Sequence, residues 1–266
     1  MRIDVQGQPA YAYTGGRDFD PALPCVVFVH GALNDHSVWT LAARWFAHHG
    51  WSVLAVDQPG HCRSRGPVKA SVGEIADWTL ALLDAAGVQR AAFVGHSMGS
   101  LIALECAARA PQRASHLVMV GTAYPMKVSD ALLSGARERP EATIHMVNTF
   151  SHSTLAAKPS YPGPGTWLHG AGAALMRHVL ASNTEVNLFE HDFRLCDAYA
   201  NGLEAAAAVT CPATLLLGAA DQMTPPKATK DIAAALRAKT VVLPGGHALM
   251  QENPEGLLEA LRTALR

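Results

Sequence analysis

Apolar runs without polar alternation recur along the 266-residue chain, each leading into a turn and then a stretch with helical spacing. Residues 24–29 form the first such run and end in His30-Gly31. A strand that is apolar on both sides suits a parallel sheet covered on both faces. Residues 37–49 then carry Val38, Leu41, Ala42, Trp45 and Phe46 at helical spacing. The pattern next predicts a strand over 51–56, a turn-rich loop over 57–64, a helix over 71–86 and a strand over 91–94. A helix over 100–110 and a strand over 116–120 follow. Near the end come a strand over 213–217, a helix over 226–236, a strand over 240–243 and a last helix ending at Arg266. Residues 1–14 read as a hairpin bending at Gly7-Gln8-Pro9. Strands and helices that alternate through short loops imply βαβ units and a mostly parallel sheet.

Residues 123–209 break the alternation. They hold helix-like stretches and no strong strand signal, and are too long for a connection, so they predict a helical insertion above the sheet. The expected division is a core of residues 1–122 and 210–266 with a helical cap, or lid, over 123–209. Residues 142–176 contain one charged side chain, Lys158, among Ile144, Met146, Val147, Phe150, Leu155, Tyr161, Trp167, Leu168, Leu175 and Met176. Helical core packing accounts for most of these. The others are available to line an apolar pocket.

Composition narrows the class. With 49% hydrophobic and 16% charged residues the chain can bury a sizeable core, and its formal net charge of −1 includes no basic run. That argues against nucleic acid or an anionic membrane as the main partner. Cys25, Cys62, Cys106, Cys196 and Cys211 are scattered and lack C-x-x-C spacing. They suit reduced packing residues in a cytoplasmic protein better than a disulfide set or a zinc site. Neither a secretory leader nor a run of about 18 apolar residues is evident.

The chemistry centres on residues 90–110, where an apolar strand runs through Gly95-His96-Ser97-Met98-Gly99 into an alanine- and leucine-rich helix. A G-x-S-x-G sequence between strand and helix places its serine on a tight, strained turn, so the residues two before and two after must lack side chains. Serine is a poor nucleophile until a base takes its proton, and the base needs an orienting acid. Asp221 follows the strand over 213–217, and His247 follows the strand over 240–243 in a loop containing Gly245 and Gly246. Of thirteen histidines, only His247 lies beyond both a candidate acid and the last strand. Asp130, Asp192 and Asp197 are weaker acid candidates because they lie in the insertion. The expected oxyanion donors are the Met98 N–H and, from the loop after the first parallel strand, the Ala32 N–H, with Leu33 as second choice. His30 is expected to be structural, and Asp57 and Arg63 to brace their own loop.

His30-Gly31-Ala32-Leu33, the stretch from Asp57 to Ser64, Gly95 to Gly99, Gly218 to Pro225 and Pro244 to Met250 together resemble the α/β-hydrolase family. The resemblance covers nearly the whole chain. It implies an eight-stranded, mostly parallel sheet flanked by helices, a helical cap after strand 6, and no cofactor or metal. HGAL replaces the HGGG of some esterases in that family. A serine at position 97 excludes the branches with an aspartate nucleophile.

These readings converge on a cytoplasmic serine hydrolase with Ser97, Asp221 and His247 as its triad. A small or medium, largely apolar carboxylic ester is the expected substrate, since the first half of the insertion is nearly uncharged. Leu33, Phe150, Trp167 and Met223 are the expected pocket residues. Carbon–carbon cleavage of a ring-cleavage diketone, lactone hydrolysis and perhydrolysis use the same triad, and a hydrolase-fold ligand-binding protein can retain one. Oligomeric state is left open, monomer or homodimer.

Overall fold

The computed structural model of the chain describes residues 1–153 and 167–266. Two edge strands, β1 (Arg2–Val5) and β2 (Gln8–Tyr13), form a hairpin. The alternating part follows as β3 (Cys25–Val29), α1 (Thr40–Ala47), β4 (Ser52–Val56), α2 (Val72–Ala85), β5 (Ala91–His96), α3 (Met98–Arg109) and β6 (Ala114–Val120). Helices α4 (Asp130–Glu138), α5 (Pro140–Ser151), α6 (Leu168–Ala181), α7 (Leu188–Ala198) and α8 (Gly202–Ala208) then intervene. The chain ends with β7 (Ala213–Gly218), α9 (Lys230–Leu236), β8 (Lys239–Leu243), the short α10 (Leu249–Glu252) and α11 (Pro254–Ala264).

All eight strands form one sheet in the order β1-β2-β4-β3-β5-β6-β7-β8. The hairpin pairs antiparallel, β2 pairs antiparallel with β4, and every later pairing is parallel. Each face has its own apolar layer. Val27, Val29 and Cys25 of β3 join the side packed by α2 and α3, whereas Val26 and Phe28 join the side packed by α1 and α11. Burial on both faces is the physical reason these strands are unbroken apolar runs.

The hairpin bends at Gln6-Gly7, not at Gly7-Gln8-Pro9. Val5 pairs with Gln8, and both turn residues have positive φ, 56° and 78°. A two-residue turn of this hand matches the right-handed twist of the strands, and Pro9 is already inside β2. The helix expected over 37–49 starts as a 3-10 turn, His36–Trp39, before α1. Likewise the one expected over 226–236 opens with the 3-10 turn Pro226–Thr229.

Among the described residues, 123–209 hold the five helices α4 to α8 and no strand, and α4 to α7 share an apolar cluster that includes Leu133, Ile144, Val147 and Phe189. Leu33, from the loop after β3, belongs to that cluster and ties the helical block to the sheet's carboxyl end. At its other edge the block is anchored to α3. Glu105 there accepts hydrogen bonds from Tyr199 Oη at 2.8 Å and Asn201 Nδ2 at 2.9 Å, and pairs with Arg109 Nε at 2.7 Å. Leu155, Tyr161 and Lys158 lie outside the described residues. No described helix is long and apolar enough to cross a membrane.

Candidate active site

Ser97 stands between β5 and α3 with φ 53° and ψ −121°, a left-handed conformation that an L-residue adopts only under constraint. Its N–H donates to Val120 O at 2.9 Å, which fixes the turn to β6. A Cβ on Gly95 would collide with the Gly99 carbonyl, and one on Gly99 would collide with Val29 and His30 carbonyls. Both glycines are therefore dictated by close backbone approach. The Met98 N–H lies in the first turn of α3, where backbone donors have no intrahelical acceptor.

Asp221 and His247 meet across the ends of β7 and β8. His247 Nδ1–H donates to Asp221 Oδ2 at 2.9 Å, which leaves Nε2 free on the other side of the ring. Three further donors reach the same carboxylate: Met223 N at 2.9 Å, Thr224 N at 2.8 Å and Thr224 Oγ1 at 2.8 Å. Burial alone would raise the Asp221 pKa, but His247 and these hydrogen bonds outweigh it and hold the carboxyl below its ordinary value. No hydrogen bond joins Ser97 Oγ to His247 among the described residues, yet both line one cavity of about 390 Å³. Such contacts often tighten only once substrate is bound.

The loop after β3 passes directly beside the serine. A Cβ on Gly31 would lie 3.0 Å from Ser97 Cβ, a contact tight enough to push on the serine. His30 Nδ1–H donates to Gly31 O at 2.9 Å, while its Nε2 accepts from Gln58 N at 3.2 Å. Burial first, then the nearby His61, pushes His30 down to about 4, so it is a neutral strut, as expected from sequence. Asp57 accepts from His36 N and Nδ1 at 2.9 and 2.7 Å and from Arg63 N at 3.1 Å, bracing the loop after β4. Arg63 itself reaches Tyr11 Oη at 2.8 Å.

Ala32, Phe150 and Met223 line the cavity with Ser97 and His247. Two pocket expectations need correction. Leu33 is fully buried beneath the helical block, because its positive φ of 53° turns it away into that cluster. Its N–H is also taken by Asp192 Oδ2 at 2.8 Å, which removes it as an alternative oxyanion donor. Trp167 is 61% exposed and borders a separate depression with His145 and Arg177. The cavity wall also holds amide side chains, Asn34, Asn148, Gln222 and Gln251, beside its apolar members Val128, Met146 and Met176.

Other contributors were not legible from the sequence. His96, the variable residue before Ser97, donates from Nε2 to His247 O at 3.0 Å, and burial pushes its pKa down to about 3. Gly121, at the end of β6, leaves room for the His247 ring, whose Nδ1 would be 3.2 Å from a Cβ there. Glu252 Oε2 accepts from Gly246 N at 2.5 Å and steadies the His247 loop. His96 and Gly121 meet a loop far along the chain, so no local pattern marks them.

Among the described residues, two groups could each offer three metal-ligand atoms, Asp35-Cys62-His178 and Asp35-His36-Asp57. In the second, His36 already occupies Asp57. In the first, burial and the Asp35 and Asp57 carboxylates push the Cys62 thiol up to about 12.

The fold brings the strained serine turn and the Asp–His pair together at the strand ends. A sequence model of the alpha/beta hydrolase fold matches residues 24–254, and the chain belongs to that family. Among curated relatives, "Putative carbamate hydrolase RutD" of Klebsiella pneumoniae (strain 342) is 28% identical over 237 residues, covering 86% of each chain. The enol-lactonase of Burkholderia xenovorans LB400 superposes with a TM-score of 0.81 over 100% of this chain and 99% of its own, at 20% identity. An esterase of Thermogutta terrifontis gives 0.80 over 100% and 97%, at 19% identity. These two likenesses establish the fold alone.

Proposed function

We propose that this protein is a serine hydrolase that cleaves a small or medium, largely apolar carboxylic ester, with residues 123–209 serving as the cap over its site. The observation that carries the reading is the 2.9 Å His247–Asp221 pair sharing one cavity with a serine held at positive φ. With Nδ1–H committed to Asp221, His247 Nε2 is the ring's available base. It takes the Ser97 proton as Oγ attacks the carbonyl carbon. The oxyanion then lies against the N–H groups of Met98 and Ala32, where the N-terminal dipole of α3 adds favourable potential. Collapse of the tetrahedral intermediate passes the proton from His247 to the leaving alcohol and leaves an acyl-Ser97. Water, deprotonated by His247 in turn, adds to the acyl carbon, and His247 returns the proton to Ser97 Oγ as the acyl–Oγ bond breaks and the acid leaves.

A cavity of about 390 Å³ suits a ligand of modest size. Apolar Val128, Met146, Phe150 and Met176 on its wall favour an uncharged acyl or alcohol group. A second reading, hydrolysis of a carbamate, draws on the name of the 28% identical relative and on the four amide side chains in the same wall. The test is a series of p-nitrophenyl esters of increasing acyl length, run beside a p-nitrophenyl carbamate. Turnover should peak over one short-to-medium range of esters and vanish in Ser97→Ala. Preference for the carbamate would shift the substrate to the second reading, and full activity in Ser97→Ala would defeat both.

A further inference from the structure

Asp192 is fully buried, yet it sits in α7 of the helical block rather than among the groups already assigned chemistry. Asn187, whose side chain accepts from Glu190 N, caps the start of α7 and sets its register one turn before Asp192. The Asp192 carboxylate leaves the helix and enters the junction between the loops after β3 and β4. There Oδ2 accepts from Leu33 N at 2.8 Å. His61 Nε2 lies 3.1 Å from Oδ2 and 3.2 Å from Oδ1, and His191 Nδ1 lies 3.1 Å from Oδ1.

His61 faces an acceptor at each ring nitrogen, the Pro59 carbonyl at Nδ1 and Asp192 at Nε2. Acceptors at both nitrogens favour a proton on each, which makes the buried pair an imidazolium–carboxylate one. Burial opposes the charge on each partner, but the mutual attraction wins, raising the His61 pKa and holding Asp192 well below the carboxylate range. A fully buried ion pair is expensive unless its geometry is well satisfied. Here the return is rigidity at one place, the peptide after Ala32.

That peptide matters because the backbone around Ala32 is held at three successive points. His30 Nδ1–H grips Gly31 O, which shares a planar peptide unit with the Ala32 N–H and so fixes the opposite direction of that N–H. Asn34 Nδ2 donates to Ala32 O at 3.0 Å, and Asp192 takes the N–H of the same peptide at Leu33. Leu33 is left at φ 53°, a conformation that needs external support. Of the three grips, only Asp192 comes from the helical block.

We infer that Asp192 is a positioning residue for the oxyanion hole: through Leu33 it aims the Ala32 N–H at the developing oxyanion and couples that aim to the seating of α7. The role rests on the serine-hydrolase reading above. It also assigns the block a part in transition-state stabilisation, beyond covering the cavity.

The test compares wild type with Asp192→Asn, which keeps the shape but cannot accept from His61 and Leu33 with a full charge. Two readouts are taken, ester kinetics and the affinity of a trifluoromethyl ketone bearing the same acyl group. Ser97 Oγ adds to the ketone carbon, the proton passes to His247, and the former carbonyl oxygen becomes an oxyanion. Expected is a fall in kcat of about 10- to 100-fold, less than the loss of a whole donor, with ketone affinity falling in parallel. KM should move by less than about threefold. Wild-type kcat and ketone affinity in a folded Asp192→Asn, or a loss confined to KM, would overturn the assignment. Should that variant not fold, His61→Gln retains a donor toward Asp192 without the charge; weaker ketone binding supports the role and unchanged binding overturns it. Failure of wild type itself to turn over ester or bind the ketone would overturn the hydrolase reading, and the Asp192 role with it.

Discussion

Thr224 touches both Asp221, at 2.8 Å, and His247 Nδ1, at 3.1 Å, so the acid is held from the side as well as from the base. Four donors on one carboxylate leave Asp221 little freedom, and Asp221→Asn should preserve the fold while presenting an amide where the imidazole N–H needs an acceptor. The wrong tautomer of His247 would then be favoured, and kcat should fall by about 10⁴-fold. Steady-state kinetics on the best ester checks this; a near-normal rate would move the acid elsewhere. The placement of Ser97, Asp221 and His247 at strand ends was legible in the sequence because each follows an apolar run in a turn marked by glycine. His96, Asp192 and Thr224 were not, since their roles arise where separate loops pack together. Leu33 misled for a related reason: its neighbour Ala32 lines the cavity, but a positive φ rotates the next side chain away.

At the scale of elements, α3 joins the two halves of the account. Its first turn holds the Met98 N–H beside Ser97, and its Glu105 receives Tyr199 and Asn201 from the end of the helical block. The parallel strands were readable because burial on both faces forces continuous apolar sequence, as in Cys25–Val29 and Ser52–Val56, where every residue is buried. Helix onsets were less so. Around residues 36–39 and 226–229 the spacing of apolar residues is shared by 3-10 and α geometry over a single turn, and hydrogen bonding decides between them. The helices in the described part of residues 123–209 were legible from the absence of strand runs. Their docking was not, because it depends on buried polar contacts, Asp192 with His61 and Glu105 with Tyr199.

Across the whole molecule, buried histidines set the response to acid. Burial lowers His30 from 6.5 to about 4 and His96 to about 3. Unfolding restores both to their ordinary value, so below pH 6.5 the unfolded chain binds protons that the folded chain excludes. Stability should therefore fall as pH drops from 6.5 towards 4, by up to about 1.4 kcal/mol per pH unit for each ring. His61 has the opposite sign: its raised pKa makes its contribution complete below 6.5 and lost as pH rises through the folded-state value. Denaturant unfolding between pH 4.5 and 6.5, above the ordinary carboxylate range, should show the decline, and a flat profile would contradict it. The central claim, an activated serine at position 97, is tested most directly by intact-mass spectrometry and peptide mapping after treatment with a fluorophosphonate. The account predicts one adduct, on Ser97, absent from Ser97→Ala. No adduct, or one on another residue, would contradict it.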